Sequence, residues 1–125
     1  MAQRAEALAL AIRSRVEREA DRLDSALAQS ERALGLISRQ GAELPDRIVV
    51  VGTRALVLNS AQRTEEAEAL VDELRRRMRR ENERIENEEL RRAHRSATTR
   101  LLEAVLSPAG LIYPRISLDD AAPGD

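Results

Sequence analysis

The sequence predicts a mainly α-helical protein: a long antiparallel coiled-coil hairpin with a short central β-hairpin that oligomerises. Two long segments carry apolar residues at alternating steps of three and four, the spacing of a coiled-coil seam. The composition is 42% apolar and 34% charged, with Tyr113 as the single aromatic residue. Such an aliphatic, charge-rich composition is typical of long helices. A run of β-branched residues separates the two segments.

The first helix is predicted over about residues 2–40. No glycine or proline interrupts it before Gly35, and the segment from Gln40 to Asp46 ends it. Gly41 suits the position just past a helix end, and Pro45 cannot continue the helix. The apolar seam comprises Leu8, Ile12, Val16, Ala20, Leu23, Leu27, Leu34 and Ile37.

The central segment, about residues 47–59, has the pattern of a β-hairpin. Four β-branched or apolar residues in succession end at Val51, and a second apolar run begins at Ala55. The turn Gly52-Thr53-Arg54 lies between them, and β-branched runs flanking such a turn favour strands. A buried helix is the alternative interpretation, because short apolar runs fit both structures.

A second helix is predicted over about residues 61–107, with acidic residues in its first turn and Pro108 at its end. Residues 1–107 then form one coiled-coil domain. Residues 108–125 are rich in Asp, Pro and Gly near their end, which predicts a disordered acidic tail. Because the connection is short, the two helices are expected to pair antiparallel.

Assembly with other chains follows from the predicted β-hairpin. A two-stranded hairpin is marginally stable in water, and its edges leave unpaired backbone groups. We therefore expect several copies to pair through this segment as a homo- or hetero-oligomer. The predicted oligomerisation residues are Ile48, Val49, Val50, Val51, Ala55, Leu56, Val57 and Leu58.

The order of helix, β-hairpin and helix resembles a β-type prefoldin subunit. The residues that carry the resemblance are the strand-like run 47–52 ending in Val51-Gly52, the run 55–58, and the acidic, alanine-containing start of the second helix at 65–70. The resemblance implies an ATP-independent chaperone that holds unfolded proteins at apolar helix tips. The tip residues it implies as client-binding are Leu8, Leu10, Ile12, Leu101, Leu102, Val105 and Leu106. These side chains could instead pack against one another as a closed bundle end.

Three further features are weighed as sites. Five arginines within residues 75–80 could contact nucleic-acid phosphates, but surrounding acids favour a solvated coiled-coil face. Asn82 occupies a seam position, where a polar residue can set register. His94 is the single histidine, which is weak support for a metal site.

The composition and the glycine pattern argue against an enzyme. The chain has no Cys, and Val51-Gly52 lacks the further glycines and the lysine of a phosphate-binding loop. We predict no catalytic residue, no metal and no cofactor. The N-terminus carries Glu6 and lacks a long apolar stretch, and the longest apolar runs are short, which predicts a cytoplasmic protein without a membrane segment.

Two hypotheses of different class follow. The first is a prefoldin-like chaperone subunit that binds unfolded client proteins. The second is a structural or adaptor protein with one specific protein partner, such as a secretion or phage-assembly helper. An arginine-rich regulator associated with nucleic acid is a weaker third possibility.

Overall fold

The computed structural model of the chain describes residues 2–39 and 41–108, and five α-helices account for most of them. They are α1 (Ala2–Glu19), α2 (Leu23–Ser38), α3 (Leu44–Ser60), α4 (Thr64–Glu83) and α5 (Glu88–Leu106). These residues contain no β-strand. The prediction of a mainly α fold is therefore confirmed.

The prediction of a β-hairpin over residues 47–59 is wrong, because the segment lies within α3. Intrinsic strand preference is weak, and tertiary burial overrides it. α3 is buried on every side from Val50 to Leu58, and a helix that is apolar all round belongs in a core. Pro45 lies in its first turn, where a proline is tolerated, rather than marking a loop.

The other four helices surround α3, and each of them contacts it. Arg4 pairs with Asp46, and Arg18 Nε donates to Ser60 Oγ at 2.6 Å, so α1 and α3 run parallel. Arg32 Nη2 lies 2.8 Å from Glu6 Oε2, which sets α2 antiparallel to α1. The chain thus runs up and down around a central third helix.

The core has two main parts, one on each side of α3. Against α1 and α2 the buried cluster comprises Ala7, Leu10, Ala11, Ala33, Leu36, Ile37 and Val50. Against α4 and α5 it comprises Leu44, Ile48, Val51, Leu74, Leu102 and Val105. A smaller cluster of Ala55, Leu58 and Ala67 lies near the C-terminal end of α3. Within the described ranges, no helix is both long and apolar enough to cross a membrane.

The prediction of one unbroken first helix is wrong, because a turn at residues 20–22 separates α1 from α2. Asp21 adopts a left-handed conformation with φ of 65°. The amide of Arg22 donates to the Glu17 carbonyl at 2.8 Å, and that of Asp21 donates to the Arg18 carbonyl at 3.0 Å. This is the Schellman pattern that ends many helices, here without the usual glycine.

The predicted second helix is also interrupted, at residues 84–87. Asn87 begins α5 by accepting a hydrogen bond from the Leu90 amide at its side-chain oxygen, at 2.9 Å. The outer limits of the prediction agree with the structure, since α4 begins at Thr64 and α5 ends at Leu106. The predicted break between the first helix and the central segment is also confirmed, between Ser38 and Leu44. Residues 109–125, which are nearly all of the predicted disordered tail, lie outside the residues that the structure describes.

Candidate functional site: a basic cleft between α4 and α5

The end of α4 and the start of α5 form a helical elbow, residues 75–97, that contributes no buried residue to the core. The elbow contains nine arginines and five glutamates, a net charge of +4 with His94 neutral, although the whole chain has a net charge of −1. The positive charge of the protein is therefore concentrated on this elbow.

Polar contacts close the elbow where α4 gives way to α5. Arg91 Nε donates to the Ile85 carbonyl at 2.9 Å, across the turn between the two helices. His94 Nδ1 lies 3.4 Å from Asn82 Oδ1, so the structure brings the single histidine next to the polar residue that the sequence pattern placed on the seam. These contacts join the two helices across the turn.

A cleft of about 260 Å³ opens between the two helices on the side of the core. Met78 and Leu102 are the apolar residues among its walls, and Leu102 is only 3% exposed. We call this site the basic cleft; its lining residues are Arg75, Met78, Arg79, Asn82, Arg95, Thr98, Thr99, Leu102 and Glu103.

Three guanidinium groups line the basic cleft, those of Arg75, Arg79 and Arg95. Each of these side chains is exposed, and none has a carboxylate oxygen within 4.0 Å among the described residues. Elsewhere the helices do form such ion pairs, as between Arg63 and Glu66. The cleft can therefore offer charge-assisted hydrogen bonds to an anionic group from outside the chain.

Two arginines that the sequence pattern did not single out are buried inside the bundle. Arg54 is 7% exposed, and its Nη1 donates to the Leu27 carbonyl at 2.9 Å and to Ser30 Oγ at 3.0 Å. Arg15 is 2% exposed and bonds to carbonyl oxygens at the end of α5. Burial lowers the pKa of both guanidinium groups. Their contacts are structural, so they are not part of a binding surface.

The predicted client-binding residues do not form one exposed tip. Leu10, Leu102 and Val105 are buried in the core of the same chain, at 8%, 3% and 0% exposure. Half-buried positions are Leu8, Leu101 and Leu106, and Ile12 alone among the seven is exposed. Client binding by these residues stays a prediction, with most of the surface it needs covered by the chain's own helices.

The predicted oligomerisation residues lie on α3 and not on strand edges. All except the half-buried Val49 are buried against the surrounding helices: Ile48, Val50, Val51, Ala55, Leu56, Val57 and Leu58. Their apolar surface is satisfied within one chain. The physical reason for expecting assembly through this segment is thus removed.

A second, mainly apolar groove of about 290 Å³ runs between α1, α3 and α5. Leu8, Ile12, Val49 and Leu101 are among its lining residues. The hydroxyl oxygen of Thr53, which also lines it, is buried and has no hydrogen-bond partner. Leu8, Ile12 and Leu101, three of the predicted client-binding residues, thus lie together in this groove.

Comparison with family models, with curated proteins and with solved structures finds no match to this chain. Among residues 2–39 and 41–108, no group of three or more His, Cys, Asp or Glu side chains is arranged to hold a metal ion. The basic cleft is therefore interpreted from its own residues.

Proposed function

We propose that the protein is a helical adaptor that binds an acidic, amphipathic segment of a protein partner in the basic cleft. The observation that carries this proposal is the set of three arginines, Arg75, Arg79 and Arg95, around a cleft that Met78 and Leu102 also line. None of the three guanidinium groups has a carboxylate oxygen within 4.0 Å among the described residues.

The two kinds of wall suit two kinds of side chain on one ligand. Guanidinium groups bind carboxylates through two parallel hydrogen bonds, and Arg is less strongly hydrated than Lys. Met78 offers a flexible, polarisable surface that adapts to different apolar side chains. A peptide helix with leucines on one face and glutamates beside them would satisfy both. The exposed Leu90, at 63%, extends the apolar surface onto the elbow.

The chaperone hypothesis has less support. The prefoldin resemblance implied assembly through a β-hairpin, and that segment is the buried helix α3. A chaperone also needs a broad exposed apolar surface, whereas Leu102 and Val105 lie in the core. The adaptor hypothesis requires only one narrow cleft.

Nucleic acid is the other ligand that the charge of the elbow could attract. Aromatic side chains, on which unpaired bases stack, are absent from the described residues. The three arginines of the cleft suit a phosphate as well as a carboxylate, but Met78 and Leu102 in its walls have no counterpart on a phosphate backbone. The apolar component thus favours a peptide.

Selection from a random peptide library displayed on phage would test the proposal, and it does not require the partner to be identified first. Peptides of about 16 residues suffice, since a helix of that length spans roughly 24 Å. We expect enrichment of sequences that combine Glu or Asp with Leu at helical spacing. A synthetic peptide of the enriched sequence would then be titrated by fluorescence anisotropy against the protein and two variants.

The two variants carry the same change of charge at different places. The cleft variant is Arg75→Glu with Arg79→Glu, and the control is Arg76→Glu with Arg80→Glu, on the same helix but outside the cleft lining. We expect the cleft variant to bind at least about tenfold more weakly than the control, since charge-assisted hydrogen bonds are lost.

Three results would overturn the proposal. One is a selection that enriches no acidic, leucine-containing sequence. Another is equal loss of peptide binding in the cleft and control variants. The third is tighter binding to duplex DNA than to the selected peptide with a steep salt dependence, which would favour the nucleic-acid hypothesis instead.

A further inference from the structure

The mainly apolar groove between α1, α3 and α5 is open to solvent along α1. Ile12, which lines it, is 53% exposed, and Val16, one turn further along α1, is 43% exposed. Leu8 packs partly against the core of its own chain and also lines the groove together with Leu101. Exposed apolar surface of this kind marks a place where another segment of chain binds.

The chain leaves α5 at one end of this groove. Arg15, another of the lining residues, donates hydrogen bonds to the carbonyl oxygens of Val105 and Ser107. The sequence continues from there to a short apolar run, Leu111-Ile112-Tyr113, which ends at Pro114. The first large apolar residues beyond the described part of the chain therefore follow within a few residues of the groove.

A return along the groove requires the chain to reverse its direction after α5. The helices α1 and α5 are parallel, since Leu8 shares the groove with Leu101 whereas Arg15, further along α1, reaches the end of α5. Residues 107–110, Ser-Pro-Ala-Gly, match a type I β-turn, which favours Ser at its first position, Pro at its second and Gly at its fourth. The backbone bends at Ser107 and turns at Pro108. Both the sequence and the described backbone thus support a reversal at this point.

We propose that the run Leu111-Ile112-Tyr113 binds in the apolar groove of its own chain and runs antiparallel to α1. An extended chain advances about 3.3 Å per residue, which separates Leu111 from Tyr113 by about 6.6 Å. One helical turn from Ile12 back to Leu8 covers a similar distance, roughly 6 Å. Leu111 then lies beside Ile12, and Tyr113 lies beside Leu8. The proposal concerns these three residues and not the acidic end of the tail.

The short connection to α5 favours the chain's own segment over a segment of another protein. Only Ala109 and Gly110 separate the described end of the chain from the apolar run. A short linker of this kind gives an attached segment an effective concentration on the order of millimolar at a nearby site. Burial of the apolar surface of Leu111 and Tyr113 against the groove provides the driving force.

The fluorescence of Tyr113 would report on this contact alone, because Tyr113 is the single aromatic residue of the chain. Quenching by acrylamide in the full-length chain would measure how far the ring is shielded from solvent. A synthetic peptide of residues 109–125 gives the quenching of an unbound ring. We expect the native chain to be quenched clearly less than this peptide.

Two variants and their controls would locate the contact. Ile12→Asp and Leu111→Asp should each raise the quenching of Tyr113 to the value of the free peptide. Leu90→Asp is the control for the first, because it places the same charge at another exposed apolar position, outside the groove. Ser117→Asp is the control for the second, because it adds the same charge to the tail beyond the apolar run. Circular dichroism would verify that all four variants keep their helical content.

Disulfide formation between introduced cysteines would test the direction of the segment, and the chain has no native Cys to interfere. Ile12→Cys with Leu111→Cys should form a disulfide within one chain, and so should Leu8→Cys with Tyr113→Cys. Leu8→Cys with Leu111→Cys should form one more slowly, because the antiparallel direction places these two residues a helical turn apart.

Equal quenching of the native chain and the free peptide would overturn the proposal, as would shielding that survives in Ile12→Asp. Shielding that falls on dilution from about 100 to about 1 µM would show that the segment binds a second copy of the chain instead. Shielding that is lost in Arg75→Glu with Arg79→Glu would place the tail in the basic cleft and would also contradict it. Binding of the selected peptide to the basic cleft should be the same in Ile12→Asp and in the native chain, so failure of either proposal leaves the other standing.

Discussion

Arg15 on α1 donates a hydrogen bond from Nη1 to the carbonyl oxygen of Val105 on α5, at 2.8 Å. Its Nη2 donates to the Ser107 carbonyl at 3.1 Å. The last carbonyls of a helix have no partner within the helix, and a cation there also meets the negative end of the helix dipole. One buried guanidinium thus joins the first helix of the fold to the end of the last.

Replacing this guanidinium should loosen the end of α5. We expect Arg15→Met, which keeps most of the side-chain volume, to lower the free energy of unfolding by about 2 kcal/mol, since hydrogen bonds to charged groups are lost. Chemical denaturation would measure this change. Amide hydrogen exchange should accelerate most over residues 103–107.

Arg13→Met is the control for Arg15→Met, because Arg13 lies on the exposed side of the same helix. Exposed substitutions of this kind change stability by less than about 0.5 kcal/mol. Equal effects of the two variants would contradict the role given to Arg15.

Substitution by alanine at two helical glycines should change the stability of the protein in opposite directions. A Cβ atom at Gly52 would lie 2.5 Å from Val105 Cγ1, where α3 and α5 approach closely. Gly35 has no atom within 4 Å of the same position. We expect Gly52→Ala to destabilise by about 1–3 kcal/mol through overpacking. Gly35→Ala should instead stabilise by about 0.5–1 kcal/mol through the better helix propensity of Ala.

Thermal and urea unfolding of both variants would measure these changes, with each variant as the other's control. A stable Gly52→Ala protein would mean that α3 and α5 can separate without cost. That result would contradict the close packing of the two helices.

The sequence could predict the features that depend on local chemistry. The break before α3 follows from Gly41 and Pro45, and the end of α5 precedes Pro108. The turn at Asp21 could not be predicted in this way, because a non-glycine residue holds the left-handed conformation there. Whether the segment of α3 forms a helix or strands could not be predicted either. Burial on all sides, and not the residue pattern, decides between the two.

The candidate site was predictable only in part. The spacing of Arg75 and Arg79 by four residues already places them on one helix face. Their meeting with Arg95 depends on the turn at residues 84–87, which contains no glycine or proline. A chain that continued as one helix would carry Arg95 far along the axis. The local signal of the break is limited to Asn87, an N-cap residue with acids in the turn after it.

The turn that ends α3 carries a strained residue whose replacement should stabilise the protein. Gln62 has φ of 68°, and the amide of Arg63 donates to the Leu58 carbonyl at 2.9 Å, as in the Schellman pattern. Glycine adopts this conformation without the steric cost of a Cβ atom. We expect Gln62→Gly to raise the free energy of unfolding by about 0.5–1 kcal/mol. This net gain is the steric cost that is removed minus the conformational entropy that glycine adds to the unfolded chain.

Urea denaturation would measure the effect of Gln62→Gly against Ala28→Gly, which introduces glycine at an exposed position within α2. The control should lose about 1 kcal/mol. Similar losses in both variants would show that the conformation at Gln62 carries no steric cost.

A partly exposed ion pair across the turn between α1 and α2 should make the stability of the protein depend on pH. Arg22 Nε lies 2.6 Å from Glu17 Oε1, and this hydrogen bond, with the charge of Arg22, lowers the pKa of Glu17 below its ordinary value of 4.5. A carboxylate with a lowered pKa in the folded state stabilises that state above its ordinary pKa. The contribution is lost as the pH falls through the lowered value. We therefore expect Glu17→Gln to destabilise the protein slightly at about pH 7 and to have a vanishing effect in acid.

Urea unfolding of the native chain and of Glu17→Gln across this pH range would measure the difference. Arg22→Gln is the background that tests the cause, because it removes the guanidinium while leaving Glu17 in place. In that background the pH dependence of Glu17→Gln should shrink to the smaller part that the hydrogen bond to Ser25 and the charge of Arg13 contribute. High salt should also reduce the difference between the native chain and Glu17→Gln, since Arg22 is exposed and its charge is screened. A difference that persists in acid, or that is undiminished after Arg22→Gln, would assign the effect of Glu17 to something other than this ion pair.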